Sequence, residues 1–345
     1  MQRRRRTTLK DVAAATGLSP AAVSYALRGL QVPVETQERV RAAARELGYE
    51  VNPIARALAG GRTGMVGVLC GSLEDLWQQG LAVQLSRGLL AKDRYAIITD
   101  ANGEPDRERQ LARQLLDQQV DGVLVSPLDP AADFWADLSA AVPVVTIGDA
   151  LLAAPKAGCV LFDNRHGVAM ALEHLADLGH RRVAVLTPST PSTPDRPAGV
   201  FAKRHGEELG LDVVLVGSPA SVAGAAAAAE EVLAVADRPT AMFCLSDSMA
   251  YGCYLAARRL DLAVPTDLSV LGYDDHETAE LVVPPLTTFA WDRAGIVESA
   301  VAQLVRAIEA GGRRRPQTFR PELVERGSTA VAQSTAPSGE RSSSS

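Results

Sequence analysis

Polar and aromatic side chains recur in this chain directly or shortly after short apolar segments that favour β-strands. Carboxylates there could accept paired hydrogen bonds from vicinal hydroxyls, an arginine could add two parallel donors, and an indole could pack on the apolar face of a sugar. For any single aspartate the simpler interpretation is a turn or a strand-end cap. The candidates are Ser72, Glu74, Asp75, Trp77, Asp100, Asn102, Ser126, Asp129, Asp149, Asp163, Arg196, Asp247 and Asp274.

The elements that would position these side chains alternate between β-branched segments and helical stretches. Such alternation predicts parallel sheets covered by helices on both faces, and about 280 residues of it exceed one ordinary core, so two subdomains are expected. Because the carboxyl ends of parallel strands share an edge, the candidates should meet in one crevice. The predicted strands are Val66–Leu69, Ala96–Thr99, Gly122–Val125, Val142–Ile147, Cys159–Phe162, Val183–Leu186, Val213–Val216, Ala241–Cys244 and Ser269–Tyr273, with helices such as Asp106–Gln118, His166–Leu178, Ala223–Val235 and Ser248–Leu260.

The first 63 residues have a different character. Thr8 and Asp11 have the spacing of a capping box, and Gly17 permits the left-handed conformation that ends a helix. The pair Ser19-Pro20 then predicts the start of a second helix. Two short helices across a tight turn predict a helix-turn-helix. The outward residues of the second helix would be Pro20, Ala21, Ser24, Tyr25 and Arg28.

A third helix is predicted from Thr36 to Leu47. The inward residues of the three helices would be Val12, Ala15, Leu18, Val23, Ala26, Leu27, Val40, Ala43, Ala44 and Leu47.

Charge separates the two parts of the chain. Residues 1–63 have eleven arginines and lysines and five acidic residues, a net charge of +6. Because the whole chain has a net charge of −6, residues 64–345 carry −12. A basic head is typical of a surface that binds phosphates. The alternative is an unrelated three-helix bundle preceded by an arginine-rich expression tail.

Several other classes of protein are disfavoured. The four cysteines lack the short paired spacings of metal ligands, and we expect them to be reduced residues of the core. They are Cys70, Cys159, Cys244 and Cys253. No nucleophile motif, phosphate-binding loop or dinucleotide fingerprint is apparent, so neither an enzyme nor a cofactor or metal site is expected. No apolar segment is long enough to span a membrane, and the Arg3–Arg6 segment is not followed by the apolar region of a signal peptide. A cytoplasmic protein is expected.

The chain resembles the lactose-repressor family of bacterial regulators over residues 7 to about 330. Besides the first two helices, the resemblance rests on an ordered series of short segments. These are Glu46-Leu47-Gly48-Tyr49-Glu50-Val51-Asn52, Asn52-Pro53-Ile54-Ala55-Arg56-Ala57-Leu58-Ala59, Val120-Asp121-Gly122-Val123, Leu178-Gly179-His180-Arg181-Arg182, Gly272-Tyr273-Asp274-Asp275, Pro284-Pro285-Leu286-Thr287-Thr288 and Pro321-Glu322-Leu323-Val324-Glu325-Arg326-Gly327-Ser328.

The resemblance implies a particular fold and domain order. An all-α helix-turn-helix head would occupy residues 1–50, and a hinge helix and linker residues 51–63. An α/β effector domain of two doubly wound parallel-sheet subdomains, like a periplasmic binding protein, would span 64–328. Its first subdomain would comprise about 64–163 and 292–321, and its second about 164–291 and 322–328, followed by a disordered tail at 329–345.

The resemblance also implies a homodimer that binds pseudo-palindromic operator DNA with paired recognition and hinge helices. An apolar hinge residue would wedge into the minor groove, and Leu58 matches its position, although it could be an ordinary linker residue. The expected DNA-binding residues are Thr8, Ser19, Pro20, Ala21, Ser24, Tyr25, Arg28, Asn52, Ala55, Arg56 and Leu58. Because Tyr25 stands where the family often has arginine, the preferred DNA sequence cannot be transferred.

In the effector domain, Arg196 matches an effector-binding arginine of the family, and Asp247 and Asp274 match two of its acids. Trp291 stands where the family often has a polar cleft residue. A sugar or sugar derivative is the favoured effector, and a purine remains the alternative because two tryptophans could stack on it. The resemblance thus implies a ligand-responsive repressor. The competing hypotheses for the function are an exported sugar receptor and an enzyme, since the fold alone does not decide between them.

Overall fold

The computed structural model describes residues 7–27, 32–49, 62–188, 197–311 and 315–333. The chain divides into two compact units, residues 1–63 and residues 64–345. The hinge segment 52–59, Arg28, Arg196 and residues 334–345 lie outside the described residues.

The first unit contains three helices, α1 (Leu9–Thr16), α2 (Pro20–Leu27) and α3 (Val34–Glu46). The predicted capping box is confirmed, because the Thr8 N–H donates to the Asp11 carboxylate at 2.7 Å. Gly17 ends α1 with φ 68°, and the Ala22 N–H donates to the Ser19 hydroxyl at 3.2 Å. Local hydrogen bonds therefore set both ends of the turn between α1 and α2.

Two of the predicted inward positions in this unit were wrong. The face of α1 that packs on the core contains Val12 and Ala13, whereas Ala15 is exposed. Leu47 is 38% exposed, because α3 ends at Glu46. The buried residues of α3 are Val40 and Ala44. The third helix also begins two residues earlier than predicted.

The first sheet of the second unit has six strands. In spatial order these are β11 (Gln317–Phe319), β5 (Gly158–Phe162), β4 (Val144–Gly148), β3 (Gly122–Val125), β1 (Met65–Cys70) and β2 (Tyr95–Asp100), all parallel to their neighbours. Helices α4 (Leu76–Leu90) and α11 (Arg293–Ala310) share a core with one face, and α5 (Pro105–Asp117) and α6 (Phe134–Ala141) share a core with the other. The first subdomain is thus doubly wound.

The second sheet has four parallel strands in the order β7 (Asp212–Gly217), β6 (Arg182–Thr187), β8 (Ala241–Cys244) and β9 (Ser269–Leu271). Helices α7 (Asn164–Asp177) and α8 (Pro197–Glu208) contribute to the core on one face. Helices α9 (Val222–Leu233) and α10 (Asp247–Arg259) pack on the other face. The fold class expected from the alternating pattern is confirmed.

Three chain segments connect the two sheets. The chain leaves the first sheet after Phe162, returns to it in α11 after β10 (Thr288–Ala290), and leaves it again between β11 and β12 (Glu322–Val324). Strands β10 and β12 pair antiparallel with each other. The sequence did not predict β10, β11 or β12, each of which is three residues long.

The segment after β12 remains attached to the second sheet. The Ala330 N–H donates to the Ser269 hydroxyl at 3.0 Å, and the Ala332 N–H donates to the Leu178 carbonyl at 2.8 Å. The expectation of a disordered tail beginning at residue 329 was therefore wrong for these first residues. All four cysteines are buried and reduced, and no described helix is long and apolar enough to cross a membrane.

Candidate functional site

A cavity of about 870 Å³ lies where the carboxyl ends of the two large sheets meet. Residues that end or follow β1, β3, β4 and β5 line it from the first subdomain, and residues that follow β6, β7, β8 and β9 line it from the second. Parallel sheets bind ligands at this edge, because loops there can present side chains without disturbing the strands. The cavity is therefore the candidate site for a small molecule.

The structure brings most of the predicted effector residues to this cavity. Its lining includes Ser72, Asp75, Trp77, Ser126, Asp149, Asp163, Asp274 and Trp291, together with the weaker candidates Glu74 and Asn102. Asp100 and Asp129 do not line it. The carboxylate of Asp100 accepts the Leu73 and Asn102 N–H groups, and that of Asp129 accepts the Ala131 N–H, as expected of turn formers.

Asp247 is the exception among the favoured residues, and its placement requires a correction. Its side chain is completely buried and does not line the cavity. One carboxylate oxygen accepts the Tyr273 N–H at 2.9 Å and the Thr288 hydroxyl, and the other accepts the His276 N–H at 2.8 Å. Asp247 thus fixes the loop that follows β9, and its neighbour Asp274 is the acid that reaches the cavity.

Aromatic rings form one wall of the cavity. Trp77 and Phe162 meet edge to face with centroids 6.2 Å apart, and Phe162 lies 4.7 Å from Trp291. The Trp291 indole N–H donates to the Tyr273 carbonyl at 3.0 Å, which holds the ring in place. The guanidinium of Arg293 lies 4.6 Å from the Trp77 ring. This wall joins residues of both subdomains and offers a fixed apolar surface.

Two buried carboxyls, Asp75 and Asp274, approach the aromatic wall from opposite subdomains. Asp75 caps α4 by accepting the Trp77 N–H at 3.2 Å, and it also accepts the Ser248 hydroxyl at 3.0 Å. Burial, opposed by the hydrogen bonds from Ser248 and Trp77 and aided by the charge of Asp247, raises the pKa of Asp75 to about 6. Burial also raises the pKa of Asp274, with contributions from Asp75 and Asp247.

Both acids therefore hold protons more firmly than they would in water. A ligand that donates hydrogen bonds to them can replace the missing solvent.

Another part of the cavity lining, around Phe201, contains cationic side chains. The Phe201 ring has the guanidinium of Arg165 at 5.0 Å and that of Arg204 at 5.7 Å from its centroid, and all three residues line the cavity. His205 stacks on the same ring, with centroids 5.4 Å apart and planes inclined by 10°. Cationic groups thus lie near the aromatic ring that projects from α8.

Sequence reasoning missed the residues that approach from helices. Phe162 and Tyr273 end or follow predicted strands and could have been chosen by the rule that selected the aspartates. Arg165, Phe201 and Arg204 lie within α7 and α8. No strand-end signal marks Phe201 or Arg204, whereas Arg165 follows β5 by three residues and was passed over.

The first unit presents its own candidate surface. Pro20 and Ala21 in the first turn of α2 are exposed, Ser24 is half-buried, and Tyr25 is 44% exposed, while Val23 and Ala26 are buried against the other helices. Thr8 and Ser19 stand at the starts of α1 and α2. This arrangement leaves one face of α2 free for contact, as in a helix that reads the major groove.

The fold and these two sites define a DNA-binding regulator with a small-molecule domain, and similarity to known proteins agrees. Residues 8–52 match the model of bacterial regulatory proteins of the lacI family, and residues 172–329 match a periplasmic binding protein-like domain. The regulator MalR of Streptomyces coelicolor is 33% identical, over 94% of this chain and 97% of its own length. The chain belongs to the LacI family of bacterial transcriptional regulators.

Two solved structures extend the similarity across both units. The lac repressor dimer bound to operator and the anti-inducer ONPF matches 94% of this chain and 100% of its own, with a TM-score of 0.79 and 25% identity. The complex of the regulator CelR with cellobiose has the same coverage and identity, with a TM-score of 0.66. The fold of this chain is therefore that of the lac repressor.

Proposed function

We propose that this regulator binds a sugar or sugar derivative in the cavity between its two subdomains, and that this effector changes its affinity for operator DNA. The observation that supports the proposal is the aromatic wall of Trp77, Phe162 and Trp291 beside the buried carboxyls of Asp75 and Asp274. Carboxylates accept hydrogen bonds from sugar hydroxyls, and an aromatic ring covers the apolar face of a sugar.

The composition of the lining favours a sugar over a purine. Besides Asp75 and Asp274, Asp149 and Asp163 line the cavity and give it a carboxylate-rich character that suits a ligand with many hydroxyl donors. The cellobiose complex of CelR is a family precedent for a saccharide in this fold. Arg196, which lies outside the described residues, belongs to this proposed site through its match to the family motif.

DNA binding is proposed to reside in α2 and in the hinge segment. The polar side chains of Ser24 and Tyr25 would contact base edges. Thr8 and Ser19 would contact the DNA backbone from the starts of their helices. Leu58 would enter the minor groove beside Ala55 and Arg56, and Asn52 and Arg28 complete the proposed set. These five residues lie outside the described part of the chain.

The proposed active form is a homodimer. Tyr95 and Ile98 are exposed on β2, the edge strand of the first sheet, and Val83 and Leu90 are exposed on α4 beside it. Exposed apolar side chains on a sheet edge and the helix beside it suit contact with a second copy. The operator complex of the lac repressor dimer is the family precedent.

Coupling would run through the relative position of the subdomains. An effector that favours one arrangement by about 1–3 kcal/mol changes operator affinity ~5–150-fold. The hinge segment 52–59 is proposed to fold or unfold in response. Relatives include both inducible and corepressed proteins, so either sign of the response is compatible with the proposal.

The decisive experiment selects bound sequences from genomic DNA and then titrates sugars against the selected operator complex. At least one saccharide is expected to change operator affinity and also the fluorescence of Trp77 and Trp291. The same complex should lose affinity steeply as salt increases, because phosphate contacts release counterions. A regulator that responds to purines but to no saccharide would refute the sugar assignment while leaving DNA binding intact.

A further inference from the structure

The Phe201 part of the cavity presents two guanidiniums on one aromatic ring. Arg165 comes from the first turn of α7 and Arg204 from the last turns of α8, so two packed helices bring them together. Each lies within 6 Å of the Phe201 centroid. Contact with the ring limits the movement of both side chains without using their N–H donors.

Three carboxylates on or directly before α7 and on α8 pair with other groups. Asp163 pairs with Arg320 at 2.9 Å, and Glu173 and Glu208 both pair with His205, at 3.4 Å and 3.0 Å. Among the described residues, Arg165 and Arg204 form neither an ion pair nor a hydrogen bond. No group within the described residues therefore competes with a cavity ligand for their donors.

The two parts of the cavity consequently have opposite character. Asp75 and Asp274 beside the aromatic wall accept hydrogen bonds, whereas the Phe201 part donates them. We infer, on the basis of the sugar site proposed above, that the effector carries an anionic group, a phosphate ester or a carboxylate, which binds between Arg165 and Arg204. The hydroxyl groups of its sugar ring bind the carboxyls at the other part of the cavity.

A planar guanidinium suits both anions, because two parallel N–H groups match the oxygen spacing of a carboxylate or phosphate. Phe201 would hold both guanidiniums beside the cavity, where each can donate to the anion. The sugar ring itself would then be recognised separately, by the carboxyls of Asp75 and Asp274 at the other part of the cavity. Loss of either arginine should weaken binding of an anionic sugar and spare its neutral parent.

The first test uses inorganic phosphate and the full-length protein in isothermal titration calorimetry, at constant ionic strength. The unaltered protein is expected to bind one phosphate per chain, and Arg165→Gln and Arg204→Gln are each expected to weaken binding about 10-fold or more. Lys203→Gln is the matched control, because Lys203 is exposed beside Arg204 and does not line the cavity. Absence of saturable phosphate binding, or arginine variants that both bind phosphate as tightly as the unaltered protein, would overturn the inference.

The second test separates the two sources of the anion and separates this inference from the sugar proposal. Glucose, glucose 6-phosphate and glucuronate, and the corresponding galactose set, are titrated against the tryptophan fluorescence of the same variants. A phosphate ester or a uronate should bind more tightly than its neutral parent, and only that advantage should disappear in Arg204→Gln. Neutral sugars that bind as well as the anionic ones refute the anion site alone. Phosphate binding without binding of any sugar refutes the sugar proposal alone.

Discussion

The hydroxyl of Ser248 joins the two subdomains by a hydrogen bond to the carboxylate of Asp75 at 3.0 Å. Ser248 lies in the first turn of α10, and its oxygen also accepts the Leu76 N–H at 3.0 Å. Both groups are buried, so no solvent competes for these bonds. The start of α4 in one subdomain is thereby fixed to the start of α10 in the other.

Replacement of Ser248 by alanine should loosen this connection without disturbing either sheet. The Leu76 N–H would lose its acceptor and Asp75 one donor, at a cost of about 1–3 kcal/mol for the buried groups left unpaired. We expect faster amide hydrogen exchange at Leu76 and a weaker affinity for the effector.

Ser221→Ala is the matched control for this change. Ser221 caps α9 by accepting the Gly224 N–H at 3.2 Å and does not contact Asp75. The Ser221→Ala variant should speed amide hydrogen exchange only at the start of α9. Unaltered exchange at Leu76 in Ser248→Ala would show that the two subdomains do not depend on this bond.

The pKa of Asp75 predicts a pH dependence of stability with a definite sign. Because its pKa is raised from 3.8 to about 6 in the folded protein, the folded chain retains a proton that the unfolded chain has lost between these values. The free energy of unfolding should therefore decrease as pH rises from about 4 to above 6, by about 3 kcal/mol from this group. Asp247 and Asp274, whose pKa values are also raised, act in the same direction.

Asp75→Asn should remove that contribution. Its urea midpoint should fall less between pH 4.5 and pH 7.5 than that of the unaltered protein. Glu74→Gln controls for the loss of a negative charge at an exposed neighbouring position. A pH dependence that is identical in Asp75→Asn and the unaltered protein would contradict the raised pKa.

Local signals in the sequence predicted the parts of the fold that local bonds determine. The Thr8–Asp11 pair and the Ser19 cap involve residues three apart, so the sequence alone places the helix-turn-helix. The alternation of strands and helices likewise predicted two doubly wound sheets. Most of the residues that the strand-end rule selected line the cavity, because the rule depends on chain direction and not on side-chain detail.

The remainder depends on contacts between distant residues. Asp247 and Asp274 both follow strands. Asp247 is buried as a structural acceptor because it binds groups from later segments, such as the His276 N–H and the Thr288 hydroxyl, which its own segment does not indicate. The short strands β10, β11 and β12 have too few residues for a periodic pattern. Arg204 reaches the cavity only because α8 packs on α7, which no pattern in its own segment indicates.

Trp291 should contribute strongly to the binding of a neutral sugar. Trp291→Ala removes the ring that contacts Phe162 and Tyr273, and an aromatic contact is worth about 0.5–1.5 kcal/mol beyond the area it buries. We expect at least ~10-fold weaker binding of any saccharide that responds in the titration, and a smaller loss in Trp291→Phe. Isothermal titration calorimetry suits this measurement, because the substitution removes a fluorescent reporter.

Trp135→Phe provides the comparison for Trp291. Trp135 is fully buried in the first subdomain, where its indole N–H donates to the Asp129 carbonyl at 2.8 Å, and it does not line the cavity. This variant should lose thermal stability but retain the affinity for the sugar. Equal sugar affinity in Trp291→Ala and Trp135→Phe would exclude the aromatic wall from the binding site.

Leu58→Ala should separate specific from nonspecific DNA binding. Leu58 lies outside the described residues, and its proposed role as a minor-groove wedge rests on the family resemblance. An apolar wedge unstacks one base step, which costs a few kcal/mol and is offset only where the bent duplex gains further contacts. The alanine variant should therefore bind the selected operator much more weakly, while its affinity for unrelated DNA at the same salt concentration, which depends on phosphate contacts, stays nearly unchanged. Equal losses on both DNA sequences in a fluorescence anisotropy titration would make Leu58 an ordinary linker residue.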